Sequence, residues 1–306
     1  MRRVLQSAIV VLVMSLVVFV GVHLVGDPVH ILISDEMTQA EIDAFIHKLG
    51  LDRPVHEQYF HFLANALRGD LGNSFVFGEP ALKLILQRMP ATLELAFAAF
   101  LLAIVFGIPL GMYAGLKPES PASRAIMAGS ILGFSLPTFW VGLMLIMVFA
   151  VMLGWLPSTG RGDFMTWDGL RHLALPAINL ALFKMALVTR LARAGTREAA
   201  LQDYVKFARA KGLSPSRVVL VHVLKNILVP VVTVLGLELG GLIAFSVVTE
   251  TVFSWPGIGR LAIQSIYNRD YPVVQCTVFV SAVLFIVINL AIDVIYGLLD
   301  PRVRTS

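Results

Sequence analysis

Cysteine is all but missing from this chain: Cys276 stands alone among 306 residues, which excludes an intramolecular disulfide. Charge is scarce as well. Only 14% of the residues are Asp, Glu, Lys or Arg against 57% hydrophobic, and the mean hydropathy is +0.81, outside the balance of a soluble domain of this length. A water-soluble fold would have to hide several apolar runs of about 20 residues in one core, whereas a bilayer of roughly 30 Å takes each as a single helix. There is no G-x-x-x-x-G-K-[ST] phosphate loop and no H-E-x-x-H, so nucleotide hydrolysis and zinc proteolysis have no home here. His23, His172 and His222 fall at different expected depths, and Ser130, Ser135 and Ser246 share no helical layer with a histidine base. No catalytic residue and no metal site is expected, and a nucleic-acid partner would need a soluble basic surface that this composition does not supply.

What the chain has is apolar runs, at about 7–26, 93–115, 125–153, 173–192, 228–248 and 275–297, read as six spanning helices of an all-α polytopic membrane protein. The first follows Arg2 and Arg3 and has the look of a signal peptide, but it is long for one, no small-x-small cleavage site follows, and five more runs come later, so it is read as retained. That gives a first transmembrane helix (1–26), a polar cap segment (27–92) and a five-helix core (93–306). Within the cap, 38–50 reads as a short amphipathic helix capped by Thr38 and Glu41 and stopped by Gly50, and 55–72 has similar periodicity.

Six spans put both termini on one side. That side, with Arg190, carries 14 of the 24 Lys and Arg and four acids, while the other carries nine basic residues and thirteen acids. Short loops rich in Lys and Arg stay in the cytoplasm, so both termini and the basic stretch 193–227 are expected there, with 27–92 outside. Gly107, Gly111 and Gly115 recur every four residues, as do Gly236 and Gly240, a spacing that lets helices approach closely in lipid. Pro109 and Pro137 are expected to bend their helices. Lys184, Glu238 and Asp293 are charged residues that fall inside spans, away from the first two residues at either end. Such groups face a cavity, a partner or one another, so Lys184 and Glu238 are read either as an intramembrane pair or as a contact for a translocated zwitterion, and Asp293 as structural. Glu94 is read as sitting at a positive helix N-terminus.

The densest positive charge lies at mid-chain. Residues 197–211 read as a helix exposing Arg197, Lys206, Arg209 and Lys211, with Leu201, Val205 and Ala208 as an apolar stripe; Gly212 permits a turn, and Ser214 with Pro215 starts a new helix. The result is a helix-turn-helix element (197–227) outside the membrane, running into the fifth span. The text DYVKFARAKGLSPSRVVLVHVLKNILVPVVTVLG (203–236) resembles the cytoplasmic docking loop of bacterial ABC importer permeases, specifically the dipeptide, oligopeptide and nickel permease family. So do GDP at 26–28, LGLDRPVHEQYFHFL at 49–63, LRGDLGNSF at 67–75, RMPATLEL at 88–95, LGWLP at 153–157 and HLALPAINLAL at 172–182. ETVFSWPGIGRL at 250–261, RDYPVVQ at 269–275 and LLDPRVR at 298–304 complete the series. The broad importer signature begins Glu-Ala-Ala six residues before its glycine and ends in a proline thirteen after it. Here 206–208 read KFA, position 225 is Lys225, and Glu198-Ala199-Ala200 lies too far ahead, a departure that resembles the peptide branch.

The resemblance implies a type I ABC importer permease fold with an extracytoplasmic cap between helices 1 and 2, in a bacterial inner membrane. It implies a sister permease, two ATPase subunits that bind the ATP and Mg, and a periplasmic binding protein delivering small peptides; this chain itself holds no cofactor. Tyr204, Val205, Ala208, Arg209, Gly212, Leu213 and Ser214 are the implied ATPase docking residues. Trp255, Pro256 and Gly257, in an aromatic and glycine-rich turn, are the implied binding-protein contact or outer gate, with interfacial anchoring by Trp255 as the plainer alternative. Nickel chelates and glutathione-like solutes remain open as substrates. An ion-coupled carrier would predict inverted repeats and a ligand cluster at mid-membrane, neither of which the sequence displays.

Overall fold

Long apolar runs have one low-energy answer in a bilayer, the helix, because every backbone polar group must be satisfied within the segment. The computed structural model describes the backbone of residues 2–25, 47 and 52–299. The helix expected over 38–50 and the tail beyond 299 lie outside the described residues. The helices are α1 (Arg2–Val25), α2 (Val55–Leu67), α3 (Ala81–Leu116), α4 (Pro121–Ser135) and α5 (Thr138–Leu145), the last continuing as a π-helix, π1 (Ile146–Met152). Then come α6 (Trp167–Leu201), α7 (Asp203–Ala210), the single turn α8 (Pro215–Arg217), a second π-helix π2 (Val218–Val223), α9 (Leu224–Val252), α10 (Ile258–Tyr267) and α11 (Tyr271–Leu299).

Among the described residues, four stretches are long and apolar enough to cross a membrane: Ala81–Leu116, Trp167–Leu201, Val234–Val252 and Tyr271–Ile292. Counting Pro121–Ser135 with Thr138–Met152 as one broken span makes five, one short of the six expected. In α1, 24 residues long, the apolar stretch among the described residues is Ile9–Gly21.

Three expectations need correction. The run at 125–153 is not one helix, because α4 and α5 meet at 110°. Pro137 lacks a backbone N–H and forces Leu136 into extended backbone (φ −82°, ψ 136°), which ends α4 and starts α5 afresh. The second span starts at Ala81, not near 93, since Ala81 and Ile85 are buried one turn apart and carry the helix through a stretch whose Lys83, Gln87 and Arg88 read as polar. The helix expected over 197–211 is split, with α6 ending at Leu201 and Gln202 in extended backbone (φ −68°, ψ 150°).

The chain folds as two compact units, Met1–Pro90 with Arg260–Val287 and Ala91–Gly259 with Ile288–Ser306. In the first, Phe19 meets Tyr59 edge-on at 5.4 Å and lies 6.1 Å from Phe62, which meets Phe279 at 6.4 Å. Asp270, fully buried, accepts the Ser74 hydroxyl and the backbone N–H of Phe75, the latter at 3.0 Å. Two motifs nearly 200 residues apart, LRGDLGNSF and RDYPVVQ, thus meet through one carboxylate.

In the second unit α3 packs closely on α6. A Cβ on Gly107 would fall 2.8 Å from Val188, one on Gly111 would strike the carbonyl of Thr189, and one on Gly115 would fall 2.7 Å from Thr196. The four-residue glycine repeat is therefore a groove that admits α6.

Candidate functional site

Three places in the second unit carry the chemistry. The first is α7 and its turn. Helical spacing puts Val205 and Ala208 on one face, and both are buried in a cluster with Val218, Val223 and Ile227, against which Leu213 packs partly buried. The rest of the helix surface carries Tyr204, Lys206, Phe207 and Arg209, all exposed. Phe207, 62% exposed, has Lys211 Nζ 4.6 Å from its ring centroid. Gly212 turns the chain at φ +75°, a conformation that disfavours other residues, and donates to Arg209 O at 2.9 Å. Ser214 holds the N-cap position of α8 by its backbone, Val218 N donating to its carbonyl at 3.0 Å, while its side chain makes no capping bond. Leu201, expected in the buried stripe, is exposed because α6 ends there. Sequence reasoning missed Phe207; a large apolar residue flanked by Lys206 and Arg209 on a charged face is the signal that points to it.

The second place lies inside the bundle. Lys184 on α6 and Glu238 on α9 form an ion pair, with the lysine side chain 4% exposed and the glutamate 36%. The Lys184 ammonium also sits 5.4 Å from the Phe183 ring and 5.5 Å from Phe245. Phe134 stacks on Phe183 at 4.5 Å and lies under the Arg190 guanidinium at 4.8 Å. The structure thus brings together two residues 54 positions apart. The side chain of Asp293 lies outside those described.

The third place is the turn after α9. Trp255 is fully buried, its indole N–H donating to Ala91 O at 2.8 Å, and Phe253 and Gly257 are buried beside it. Only Pro256 of the expected outer-contact trio is partly open. Beneath them lies a residue that the sequence reading did not single out, Glu250, whose fully buried carboxylate accepts from Thr92 Oγ1 at 2.7 Å and Ser246 Oγ at 3.0 Å. Gly257 and Gly259 have no side chain where that carboxylate lies; a Cβ on Gly257 would collide with it, and one on Gly259 would be 3.0 Å away. An acid followed at seven and nine residues by glycine was the available signal. Asn179 adds a buried bond to Thr249 at 3.1 Å. Glu94 is not at a helix N-terminus, since α3 starts thirteen residues earlier; it instead receives Arg161 through Nε at 2.8 Å and Nη2 at 2.6 Å. Arg161 also lies 5.9 Å from the Trp255 ring. Among the described residues no group of three or more His, Cys, Asp and Glu is arranged to hold a metal.

Two family descriptions cover nearly the whole chain. Residues 107–305 match the binding-protein-dependent transport system inner membrane component, and residues 1–96 match the N-terminal region of such membrane components. The di/tripeptide transport system permease protein DppB of Pseudomonas aeruginosa is 42% identical, over 95% of this chain and 94% of its own. The oligopeptide transport system permease protein AppB of Bacillus subtilis is 40% identical over 99% and 98%. The glutathione transport system permease protein GsiC of Escherichia coli K12 is 38% identical over 99% and 97%. Among solved structures, the inward-facing MetNI methionine ABC transporter superposes with a TM-score of 0.57 at 19% identity, over 72% of this chain and 97% of that one, a likeness of fold.

Proposed function

Because the chain belongs to the family of binding-protein-dependent transport system inner membrane components, we propose that it is the permease subunit of an ATP-driven importer of di- and oligopeptides. It works beside a sister permease, crosses the inner membrane six times with both termini in the cytoplasm, and receives its cargo from a periplasmic binding protein. The segment 27–92 caps the outer face. ATP and Mg belong to two partner ATPases.

The observation that carries this reading is the two-faced helix α7. Its inner face, Val205 and Ala208, is packed into the same cluster as π2 and the start of α9, a contact through which a push on the outer face can reach α9. The outer face, Tyr204, Phe207 and Arg209, with Gly212, Leu213 and Ser214 at the turn, is the ATPase contact. Val205 and Ala208 serve that contact from beneath, by fixing the helix. Closure of the ATPases shifts α7, and α9 carries the movement to its far end, where Trp255, Pro256 and Gly257 shape the outer gate through their packing. Lys184 and Glu238 lie on the pathway between.

A second cargo, glutathione-like peptides, is supported by the 38% identity to GsiC. Affinity purification from the native membrane tests the reading. Recovery of two ATPases and a sister permease, with ATP turnover no longer coupled to uptake when Gly212 is replaced by Val, is the expected result. Recovery of the chain alone, moving solute on an ion gradient, overturns it.

A further inference from the structure

The ion pair inside the bundle has a lopsided construction. Lys184 is buried, while Glu238 keeps about a third of its side chain open and Phe245 is 61% exposed. Gly241 adjoins the pair with no side chain of its own, its Cβ position lying 3.6 Å from both Glu238 Oε2 and Lys184 Nζ. One side of the pair is therefore uncovered by this chain at that point.

The ammonium of Lys184 is held by a carboxylate and the faces of two aromatic rings. Those are the groups that recognise any alkylammonium, whether it ends a lysine or begins a peptide. Lysine holds its charge on a flexible four-carbon stem and can swing away without moving the backbone. A ligand bearing one ammonium and one carboxylate can then replace the internal pair by two new ones, its ammonium on Glu238 between the rings and its carboxylate on Lys184. The exchange leaves no net charge in the membrane interior and no charge without a partner, the condition under which ionised groups are tolerated there. An extended dipeptide spans about 7 Å, within the swing of the lysine stem.

We infer that Glu238, Phe183 and Phe245 form an ammonium site that Lys184 fills when no cargo is present, and that a zwitterionic peptide opens this pair and is read at both termini during transit. This rests on the importer reading above and deepens it, assigning the substrate class to a site in the permease itself.

The test uses the complete importer, with its partners and loaded binding protein, in proteoliposomes, measuring uptake of labelled dialanine together with ATP turnover. Glu238→Gln should lower uptake at least tenfold while ATP turnover persists. The charge exchange Lys184→Glu with Glu238→Lys rebuilds an ion pair but reverses it in the ring pocket; it should assemble and hydrolyse ATP yet remain at least tenfold impaired in uptake. Restoration to within twofold of the original by the exchange, or unchanged uptake in Glu238→Gln, would show an architectural pair and overturn the inference.

A second measurement needs no variant. A dipeptide carrying a diazirine side chain, irradiated during turnover of the unaltered importer, should label residues 183–184 or 238–245, and labelling that spares both segments overturns the inference. Failure of the unaltered complex to take up dialanine with ATP would bring down the importer reading and this inference together. ATP-driven uptake that is indifferent to the pair brings down this inference alone.

Discussion

Thr92 and Glu250, 158 residues apart in the chain, are joined by a buried hydrogen bond of 2.7 Å from hydroxyl to carboxylate. The same hydroxyl oxygen accepts the backbone N–H of Ile258 at 2.9 Å. One threonine therefore ties α3 both to the end of α9 and to the first residue of α10. Thr92→Val keeps the shape and removes both bonds, leaving a buried donor and a buried acceptor short of a partner, which costs about 1–3 kcal/mol. Thermal unfolding of the detergent-solubilised complex should show the loss, and Thr92→Ser, which restores the hydroxyl, should recover most of it.

Gly111 and Gly129 offer a matched comparison. A Cβ at Gly111 would meet the carbonyl of Thr189 and the Cβ of Ala192, the latter at 2.6 Å, so Gly111→Ala forces α3 and α6 apart; overpacking of this kind costs about 1–3 kcal/mol. Gly129, inside α4, has nothing within 4 Å, and Gly129→Ala should be neutral or stabilising by roughly 0.5–1 kcal/mol through helix propensity alone. Equal destabilisation by the two would contradict the groove.

The hydrophobic runs made the spanning helices legible, since a run of about 20 apolar residues has few alternatives. The four-residue spacing of Gly107, Gly111 and Gly115 made a close helix contact legible, though not its partner α6. Less readable were the features set by contacts between distant residues. Nothing local in α3 announces that Glu94 will meet Arg161, or that Thr92 will meet Glu250; both partners come from segments more than 60 residues on. The break at Leu136 was readable as a bend, because proline restricts the residue before it, but its 110° angle is set by packing of α5 on α6 and α9. Lys184 and Glu238 were visible as misfits in apolar runs, with pairing as one of two readings; the aromatic surroundings were not visible, because Phe183 and Phe245 look like ordinary apolar residues in sequence.

Phe207 and Ala208 are adjacent and should behave oppositely. Phe207→Ala removes an exposed ring, which should leave stability within about 0.5 kcal/mol, as surface substitutions do, while lowering the ATP turnover coupled to uptake. Ala208→Leu forces a larger side chain into the cluster with Val205, Val218 and Val223, so the complex itself should lose stability by about 1–3 kcal/mol. Size-exclusion recovery of the assembled complex, read beside coupled turnover, separates the two. A stability loss in Phe207→Ala would mean that the outer face of α7 is structural.

Gly212 tests whether the turn acts through backbone shape. Its positive φ costs other L-residues about 1–2 kcal/mol, and asparagine tolerates the region best. No atom lies within 4 Å of the Cβ position, so strain and not collision should order the variants within this chain. Coupled transport should then fall from Gly to Asn to Ala to Val. If Asn and Val are equally damaging, the relevant collision is with the partner ATPase, because only a neighbour outside this chain would penalise both regardless of backbone preference.

Arg161 contacts Glu94 through two nitrogens and lies 5.9 Å from the Trp255 ring, so it links α3 to the turn proposed as the outer gate. Glu94→Gln removes the charge and should cost about 1.5–3 kcal/mol, the range for hydrogen bonds to charged groups. Arg161→Lys keeps the charge but gives up the planar fork that reaches the carboxylate from two positions, so it should recover only part of the stability that Arg161→Ala loses. In a double-mutant cycle the two losses should not add, because residues in direct contact share an interaction energy. Additive losses would mean that each side chain is held by its other neighbours and that the link from α3 to the turn runs through the bonds of Trp255 to Ala91 and of Thr92 to Glu250 and Ile258.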